Sequence, residues 1–202
     1  TLYAEMKAFP KVDLHRHLEG SITPEILLDV AIKYGGDLPT YELERLRPLI
    51  QANNDSPGFK HFLSKFEIFR GFYPNQKAIE EIAYRAVKDA AEDNVKYLEL
   101  RYSPTHFSCR GRFPESDAVE WINDAIERAS NDFKIIVIPI LTVSRDFEVE
   151  LARNTVEQVT QLSRKFFFGL DIAGDEISNS AEPFRDVFDL GRKSGLGITV
   201  HA

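Results

Sequence analysis

The stretch Lys11-Val-Asp-Leu-His-Arg-His-Leu-Glu-Gly20 predicts the first strand of the fold. Side chains alternate between the two faces of a strand with a period of two residues. One face therefore carries the polar set Asp13, His15, His17 and Glu19, and the other carries Val12, Leu14, Arg16 and Leu18. Two imidazoles one residue apart on a strand can converge on one metal ion, and histidine suits zinc and several other transition metals. The spacing predicts a metal-binding pair, with a chance His-x-His pair at the surface as the alternative.

Apolar and β-branched runs alternate along the chain with segments of helical spacing. The predicted strands are Val12–Leu18, Tyr97–Ser103, Ile135–Ser144, Phe166–Ala173 and Ile198–Ala202. The predicted helices are Thr23–Tyr34, Tyr41–Gln51, Gly58–Gly71, Gln76–Asp93, Glu115–Ser130, Phe147–Lys165 and Ala181–Ser194. Thr23 before Pro24 is typical of a helix N-terminus. Strands separated by helices predict βα units on a parallel sheet, either wound on both faces or closed into a barrel.

Residues 19–96 form an exceptionally long connection between the first two predicted strands. It holds three or four helical patterns, whereas a single crossover needs far less chain. In a barrel, such insertions lie above the C-terminal face, where binding sites form. Phe59, Phe62, Phe66 and Phe69 follow helical spacing within it. Such a stripe usually belongs to a core, but above a site it could form an apolar wall.

Composition and charge argue against several functional classes. The chain of 202 residues has 25 basic and 32 acidic side chains, a formal net charge of -7. This balance argues against binding to nucleic-acid phosphates or to an anionic membrane surface. The apolar run Ile135–Leu141 is far shorter than the roughly 20 residues that span a bilayer. Cys109 is the only cysteine, so we expect no internal disulfide and no Cys-rich zinc module, and we predict a reducing, cytoplasmic compartment.

A third histidine extends the metal hypothesis. His201 lies at the carboxyl end of the last predicted strand, where ligand sites form in α/β proteins. For this residue alone, a histidine at the end of a core strand is the simpler interpretation. Together with His15 and His17 it completes three imidazoles from different strand ends, the arrangement that catalytic zinc sites use.

Two other stretches carry polar residues whose role the sequence leaves open. Gly169–Glu176 ends a strand in a glycine turn followed by two acids, which are metal ligands, general acids or simply the start of a helix. Gly174 would allow a ligand to approach the backbone closely, or supply a positive φ. On the second strand, Arg101 and Glu99 share a face, and we expect them to form a buried pair.

Four stretches together resemble the adenosine deaminase family of metal-dependent amidohydrolases, in that family's order and approximate spacing. They are Pro10–Ser21, Tyr97–Pro104, Gly169–Glu176 and Thr199–Ala202. The resemblance implies a (β/α)8 TIM barrel of the amidohydrolase type, of which this chain holds about the first five βα units, with the helical insertion after strand 1. We expect residues 1–202 to form a single partial TIM-barrel hydrolase domain whose C-terminal strands are absent from this chain.

The resemblance also implies an activity. Family members hydrolyse adenosine or deoxyadenosine to inosine or deoxyinosine and ammonia, a step of purine nucleoside salvage, with one Zn2+ per active site. The implied partner is a small-molecule purine nucleoside, without nucleic acid or membrane, and the oligomeric state is left open. The alternatives are a related deaminase acting on adenine or a modified adenosine, and a catalytically inactive paralogue acting as a binding module.

The resemblance assigns the metal ligands by position. His15 and His17 match the zinc ligands of the first strand, and His201 matches the third histidine, from the fifth strand. In the family, the proton donor is a glutamate that follows this last motif. We expect it beyond Ala202, so no catalytic residue is assigned within this chain.

The substrate-binding residues that the resemblance implies come from three segments. They are His17, Glu19, Gly174, Phe62 and Phe66. Glu19 stands where family members often have an aspartate that contacts the ribose. Gly174 matches a backbone donor to the purine ring, and the two phenylalanines match the hydrophobic wall of a lid helix.

Overall fold

The computed structural model describes residues 1–52, 58–108 and 112–201, so Cys109 and Ala202 lie outside the described residues. Its strands are β1 (Lys11–His17), β2 (Val95–Tyr102), β3 (Ile136–Ser144), β4 (Gly169–Ala173) and β5 (Gly197–Ile198). Its helices are α1 (Leu2–Ala8), α2 (Pro24–Tyr34), α3 (Leu43–Ile50), α4 (Phe59–Ser64), α5 (Phe66–Phe72), α6 (Gln76–Glu92), α7 (Pro104–Phe107), α8 (Glu115–Phe133), α9 (Val149–Thr160) and α10 (Arg185–Lys193).

The five strands form one parallel sheet in the order β1-β2-β3-β4-β5. Parallel neighbours require a crossover between them, and each crossover in this chain contains at least one helix. The insertion predicted after the first strand is confirmed, and it contains the five helices α2 to α6. The described chain therefore has the predicted architecture of a partial (β/α) barrel, with four complete βα units followed by a fifth strand.

Local side-chain contacts fix the boundaries of the long helices. The Thr23 hydroxyl accepts a hydrogen bond from the Ile26 amide at 3.2 Å, which confirms the predicted start of α2. Gly35 ends this helix with a φ of 78°, a value that glycine adopts without strain. The Asn75 side chain caps α6 in the same way, by accepting a hydrogen bond from the Ala78 amide at 3.1 Å.

Several predicted elements are shorter in the structure: β4 begins at Gly169 rather than Phe166, α9 ends at Thr160 rather than Lys165, and α10 begins at Arg185 rather than Ala181. Two others differ more. The segment Gly58–Gly71 forms two short helices rather than one, and Lys65 separates α4 from α5. The Lys65 amide donates to the carbonyl of Phe62, three residues back, which tightens the chain at this point. The last strand is shorter than predicted and ends at Ile198, because β5 hydrogen-bonds only to β4 within the described sheet.

The hydrophobic core lies between the sheet and its helices. Leu98, Leu100 and Tyr102 of β2 are fully buried on the side of the sheet where α6 and α8 pack against each other. The alternate residues Glu99 and Arg101 therefore face the opposite side. In the described part of the chain, no helix is both long and apolar enough to cross a membrane.

The packing of the helical layer predicts a stability difference between two isoleucines. Ile79 of α6 is 0% exposed, so Ile79→Ala should lower the free energy of unfolding by about 2–5 kcal/mol, through lost burial and a cavity. Ile32 of α2 is 68% exposed, and Ile32→Ala should change it by less than about 0.5 kcal/mol. Urea unfolding of the full-length protein measures both values. Equal destabilisation by the two substitutions would contradict the assignment of this core.

Candidate metal centre

Three histidines from the two edge strands of the sheet meet at its carboxyl end. His15 and His17 belong to the end of β1, and His201 follows β5. The Nε2 atom of His201 lies 3.0 Å from Nε2 of His15 and 2.7 Å from Nε2 of His17. These residues are 186 and 184 positions from His201 in the chain, so the direction of the strands, and not sequence proximity, brings them together.

The geometry of this cluster fits a metal ion. Each of the three histidines offers one ring nitrogen as a ligand atom, and these three nitrogens lie within 4.8 Å of one another. Two imidazole nitrogens bound to one tetrahedral zinc ion lie about 3.3 Å apart, close to the separations from His201. On the other side of the His201 ring, Nδ1 lies 2.8 Å from Oδ2 of Asp171. This leaves the Nε2 atom as the donor atom for a metal.

Burial and neighbouring positive groups favour the neutral imidazoles that a metal needs. Burial is the largest influence on His17, followed by His201 and Arg101, and together they lower its pKa to about 4. The pKa of His15 is lowered as well, first by burial and then by Arg101. Both side chains therefore offer unprotonated nitrogen atoms near neutral pH, and protons compete little with a metal there.

A cavity of about 620 Å³ opens beside the three histidines. The other residues with predicted substrate contacts, Glu19, Gly174, Phe62 and Phe66, all line it. The rings of Phe62 and Phe66 meet edge to face, with centroids 5.4 Å apart, and form an apolar wall over the site. The structure thus brings together every residue that the sequence proposed for metal or substrate; their roles stay predictions.

Glu19 reaches the cavity through a turn rather than along the strand. The strand ends at His17, and Glu19 begins a short 3-10 helix, so the period of two does not extend to it. Its side chain is 5% exposed, and Oε1 accepts a hydrogen bond from the Ser103 amide at 2.8 Å. This contact ties the end of β1 to the end of β2 and fixes one oxygen of the carboxylate.

At Gly174 any side chain would be strained and would displace the Asp146 carboxylate. The φ of Gly174 is +107°, and a Cβ atom added there would lie 2.7 Å from a carboxylate oxygen of Asp146. Asp146 in turn accepts a hydrogen bond from the Asp175 amide at 2.8 Å and so holds the turn after β4. The Asp175 carboxylate accepts from the amides of Ile177 and Ser178. For Asp175, the interpretation as an ordinary capped turn is supported.

The prediction that Arg101 and Glu99 form a buried pair is wrong. Arg101 instead donates from Nη1 to Oδ2 of Asp171 at 2.7 Å, and from Nη2 to the carbonyl of Leu14 at 2.9 Å. Glu99 accepts a hydrogen bond from the Tyr97 hydroxyl at 3.3 Å. Residues two apart on a strand share a face, but their side chains point in parallel and do not meet. The long Arg101 side chain instead reaches Asp171 on β4.

Several residues that line the cavity were not predicted from the sequence as site residues. They are His106, Thr142, Ser144, Asp146 and Phe147, which lie at or after the carboxyl ends of β2 and β3. The signal that singled out His201, a polar residue at the end of a parallel strand, applies equally to them.

A parallel sheet with a cluster of imidazoles at its carboxyl edge defines a metal-binding (β/α) barrel of the amidohydrolase type. The family model for adenosine deaminase matches residues 10–202. The chain therefore belongs to the adenosine deaminase family.

The curated relatives agree with this assignment. An adenosine deaminase from Edwardsiella ictaluri is 37% identical over 194 residues, which are 96% of this chain and 58% of that protein. One from Aliivibrio fischeri is 34% identical over 197 residues, 98% of this chain and 59% of that protein. The chain thus spans less than two thirds of the length of these relatives.

Solved structures share the fold at lower identity. An amidohydrolase from Burkholderia ambifaria with bound Zn superposes with a TM-score of 0.86 at 24% identity, over 98% of this chain and 53% of that chain. Adenine deaminase from Arthrobacter aurescens superposes with a TM-score of 0.82 at 21% identity, over 96% of this chain and 58% of that chain. An Arabidopsis ADAL protein complexed with IMP superposes with a TM-score of 0.80 at 24% identity, over 98% of this chain and 59% of that chain.

The lowered pKa of His17 predicts how pH affects the metal-free protein. Between pH 6.5 and about 4, the unfolded chain binds a proton at this residue that the folded protein does not bind. Stability should therefore fall as the pH is lowered through this window. Urea unfolding of chelator-treated full-length protein measures the slope, which His17→Gln should reduce. An unaltered slope in His17→Gln would contradict the prediction.

Proposed function

We propose that this chain supplies the metal-binding part of an enzyme that hydrolytically deaminates adenosine and deoxyadenosine. The products would be inosine or deoxyinosine and ammonia. The observation that carries the proposal is the convergence of three imidazole nitrogens beside Gly174 in one cavity. The assignment to the adenosine deaminase family supports the same reaction.

The three histidines would hold one zinc ion. Nitrogen ligands that leave a coordination position open are typical of catalytic zinc sites. When bound, zinc lowers the pKa of water towards 7 and so supplies a nucleophile without a strong base. The lowered pKa values of His15 and His17 support binding near neutral pH.

The remaining cavity residues would orient the substrate. Gly174 lines the cavity and would present its backbone to the purine ring, with no side chain in between. Phe62 and Phe66 would cover the purine with an apolar wall and limit access of bulk water. Glu19, whose Oε1 accepts from the Ser103 amide, lines the cavity and would contact the ribose.

The charge of the cavity favours a nucleoside over a nucleotide. Among the described residues that line it, Arg16 is the only lysine or arginine, and its Nε lies 2.8 Å from Oδ2 of Asp13 in an ion pair. Glu19, Asp89 and Asp146 line the same cavity. A phosphate group is usually held by arginine or lysine side chains, so a monophosphate would meet net negative charge here. This separates the proposed substrate from that of the structurally similar N6-methyl-AMP deaminase of Arabidopsis thaliana.

Other parts of the proposal concern the whole protein. We propose that residues 1–202 form one partial barrel domain, and that the proton-donating glutamate lies outside them. We also propose a cytoplasmic location, which the single cysteine supports.

The test is a substrate panel with the full-length protein. Adenosine and deoxyadenosine should be deaminated, and adenine, AMP and N6-methyl-AMP should be much poorer substrates. His17→Ala should abolish turnover and remove most bound zinc, because it deletes one of few ligands. His61→Ala, which changes an exposed histidine of α4, is the matched control and should retain both.

Each other outcome of this panel has a definite meaning. Turnover of adenine with none of adenosine would favour the alternative of an adenine deaminase, as the similar Arthrobacter aurescens protein is named. Absence of turnover on every purine, with zinc bound, would favour the inactive binding module.

Gly174 gives a second, independent prediction. Gly174→Ala should lower kcat/KM for adenosine by about tenfold or more, ~1.4 kcal/mol, since the added methyl group displaces Asp146 and distorts the turn. Gly195→Ala is the control, because Gly195 also has a positive φ but has no atom within 4 Å of the added group. Steady-state kinetics measures both variants. Equal losses would show that backbone strain, and not the contact with Asp146, is responsible.

A further inference from the structure

Behind the histidine cluster lies a buried ion pair that the proposed reaction does not use. The side chains of Arg101 and Asp171 are 1% and 0% exposed, and Nη1 of the guanidinium lies 2.7 Å from Oδ2 of the carboxylate. The same Oδ2 atom lies 2.8 Å from Nδ1 of His201. The second guanidinium nitrogen, Nη2, donates to the carbonyl of Leu14, next to His15 in β1.

We propose that Asp171 and Arg101 are positioning residues that fix the orientation and tautomer of His201. The inference rests on the proposed function only in that the same three histidines hold the metal. Asp171 would accept the Nδ1 proton of His201, and Arg101 would keep the Asp171 carboxylate in place. The His201 Nε2 lone pair then points at His15 and His17.

The tautomer follows from the chemistry of the two groups. A neutral imidazole has one N–H and one lone pair, and an ionised carboxylate can only accept a hydrogen bond. The Arg101 guanidinium donates to Oδ2 of Asp171 at 2.7 Å, and a cationic donor at this distance favours the ionised carboxylate. The proton of His201 therefore belongs on Nδ1, and the lone pair on Nε2.

In the structure, His201 Nδ1 and the Asp171 carboxylate lie close together, but the N–H is not directed at a carboxylate oxygen. His201 Nδ1 and Asp171 Oδ1 are both buried without a well-formed hydrogen bond, although Nδ1 and Oδ2 are within reach. A small rotation of the imidazole would bring the N–H onto the carboxylate. Metal ligation at Nε2 and this hydrogen bond would then stabilise the same ring orientation.

Asp171 is placed to orient a ligand and not to act as one. Its Oδ2 atom lies between the Arg101 guanidinium and His201 Nδ1, whereas the other two histidines approach the opposite nitrogen of the ring. Arg101 suits its task because a planar guanidinium reaches two acceptors on different strands at once. A lysine ammonium is a single point of charge.

The experiment measures zinc affinity by chelator competition in full-length variants. Asp171→Asn keeps the size of the side chain but removes its charge, and it should weaken zinc binding about 10–100-fold. Arg101→Lys should weaken it less than Arg101→Met does, since it keeps the charge. Leu100→Ala is the matched control: it removes core packing one residue away on the same strand and should leave zinc affinity unchanged.

A second readout needs no metal. Nitrogen-15 NMR of the histidine rings in metal-free protein should show His201 protonated on Nδ1 in the wild type, and a shift towards the other tautomer in Asp171→Asn. This signal separates positioning from a general loss of stability, which Leu100→Ala reproduces. Wild-type zinc affinity in Asp171→Asn, or an unchanged tautomer, would overturn the proposal.

The two proposals fail in distinguishable ways. Zinc-dependent turnover of adenosine together with unchanged zinc affinity in Asp171→Asn overturns only the positioning role. Weakened zinc binding in Asp171→Asn, in a protein that turns over no purine, overturns only the deaminase.

Discussion

The site depends on one constraint, that all five strands run in the same direction. Their carboxyl ends therefore meet along one edge, and a side chain from each strand end can face the same space. His17 of β1, Thr142 of β3 and Ala173 of β4 all line the cavity for this reason. An antiparallel arrangement of the same strands would place half of these residues at the opposite edge.

The buried charge of Arg101 shows how the sheet accommodates a polar interior. An isolated ion removed from water is costly, so its partners must lie within the protein. Arg101 finds them on both sides, in the Asp171 carboxylate and in the backbone of β1. A single side chain thus connects the strand that carries two of the histidines with the strand adjacent to the third.

The sequence predicted most of the fold, because its signals are local. The Thr23 cap, the βα alternation and the insertion before β2 depend on residues close together in the chain, and all are present in the structure. The partner of Arg101 could not be predicted in this way. Asp171 is 70 residues distant, and only the order of the strands brings it near. Lys65, at the break between α4 and α5, also has a distant contact, since its ammonium donates to the carbonyl of Pro48.

For the site, the sequence indicated which residues to expect but not how they would be held. A period of two explains why His15 and His17 share a face, but it fails at Glu19, where the chain leaves the strand. Asp146 went unnoticed because an acid after a strand is common in sequences, and its contacts with the Gly174 turn exist only in three dimensions.

The separation of the histidines along the chain also affects when a metal can be acquired. During synthesis, His15 and His17 leave the ribosome well before His201, which is 186 residues after His15. At about 5–20 residues per second the delay is roughly 10–40 s. Throughout this time the nascent chain offers only two of the three imidazoles, and β5 has not joined the sheet. With the proposed set of three ligands, tight metallation would therefore be a late event, coupled to the docking of the last strand.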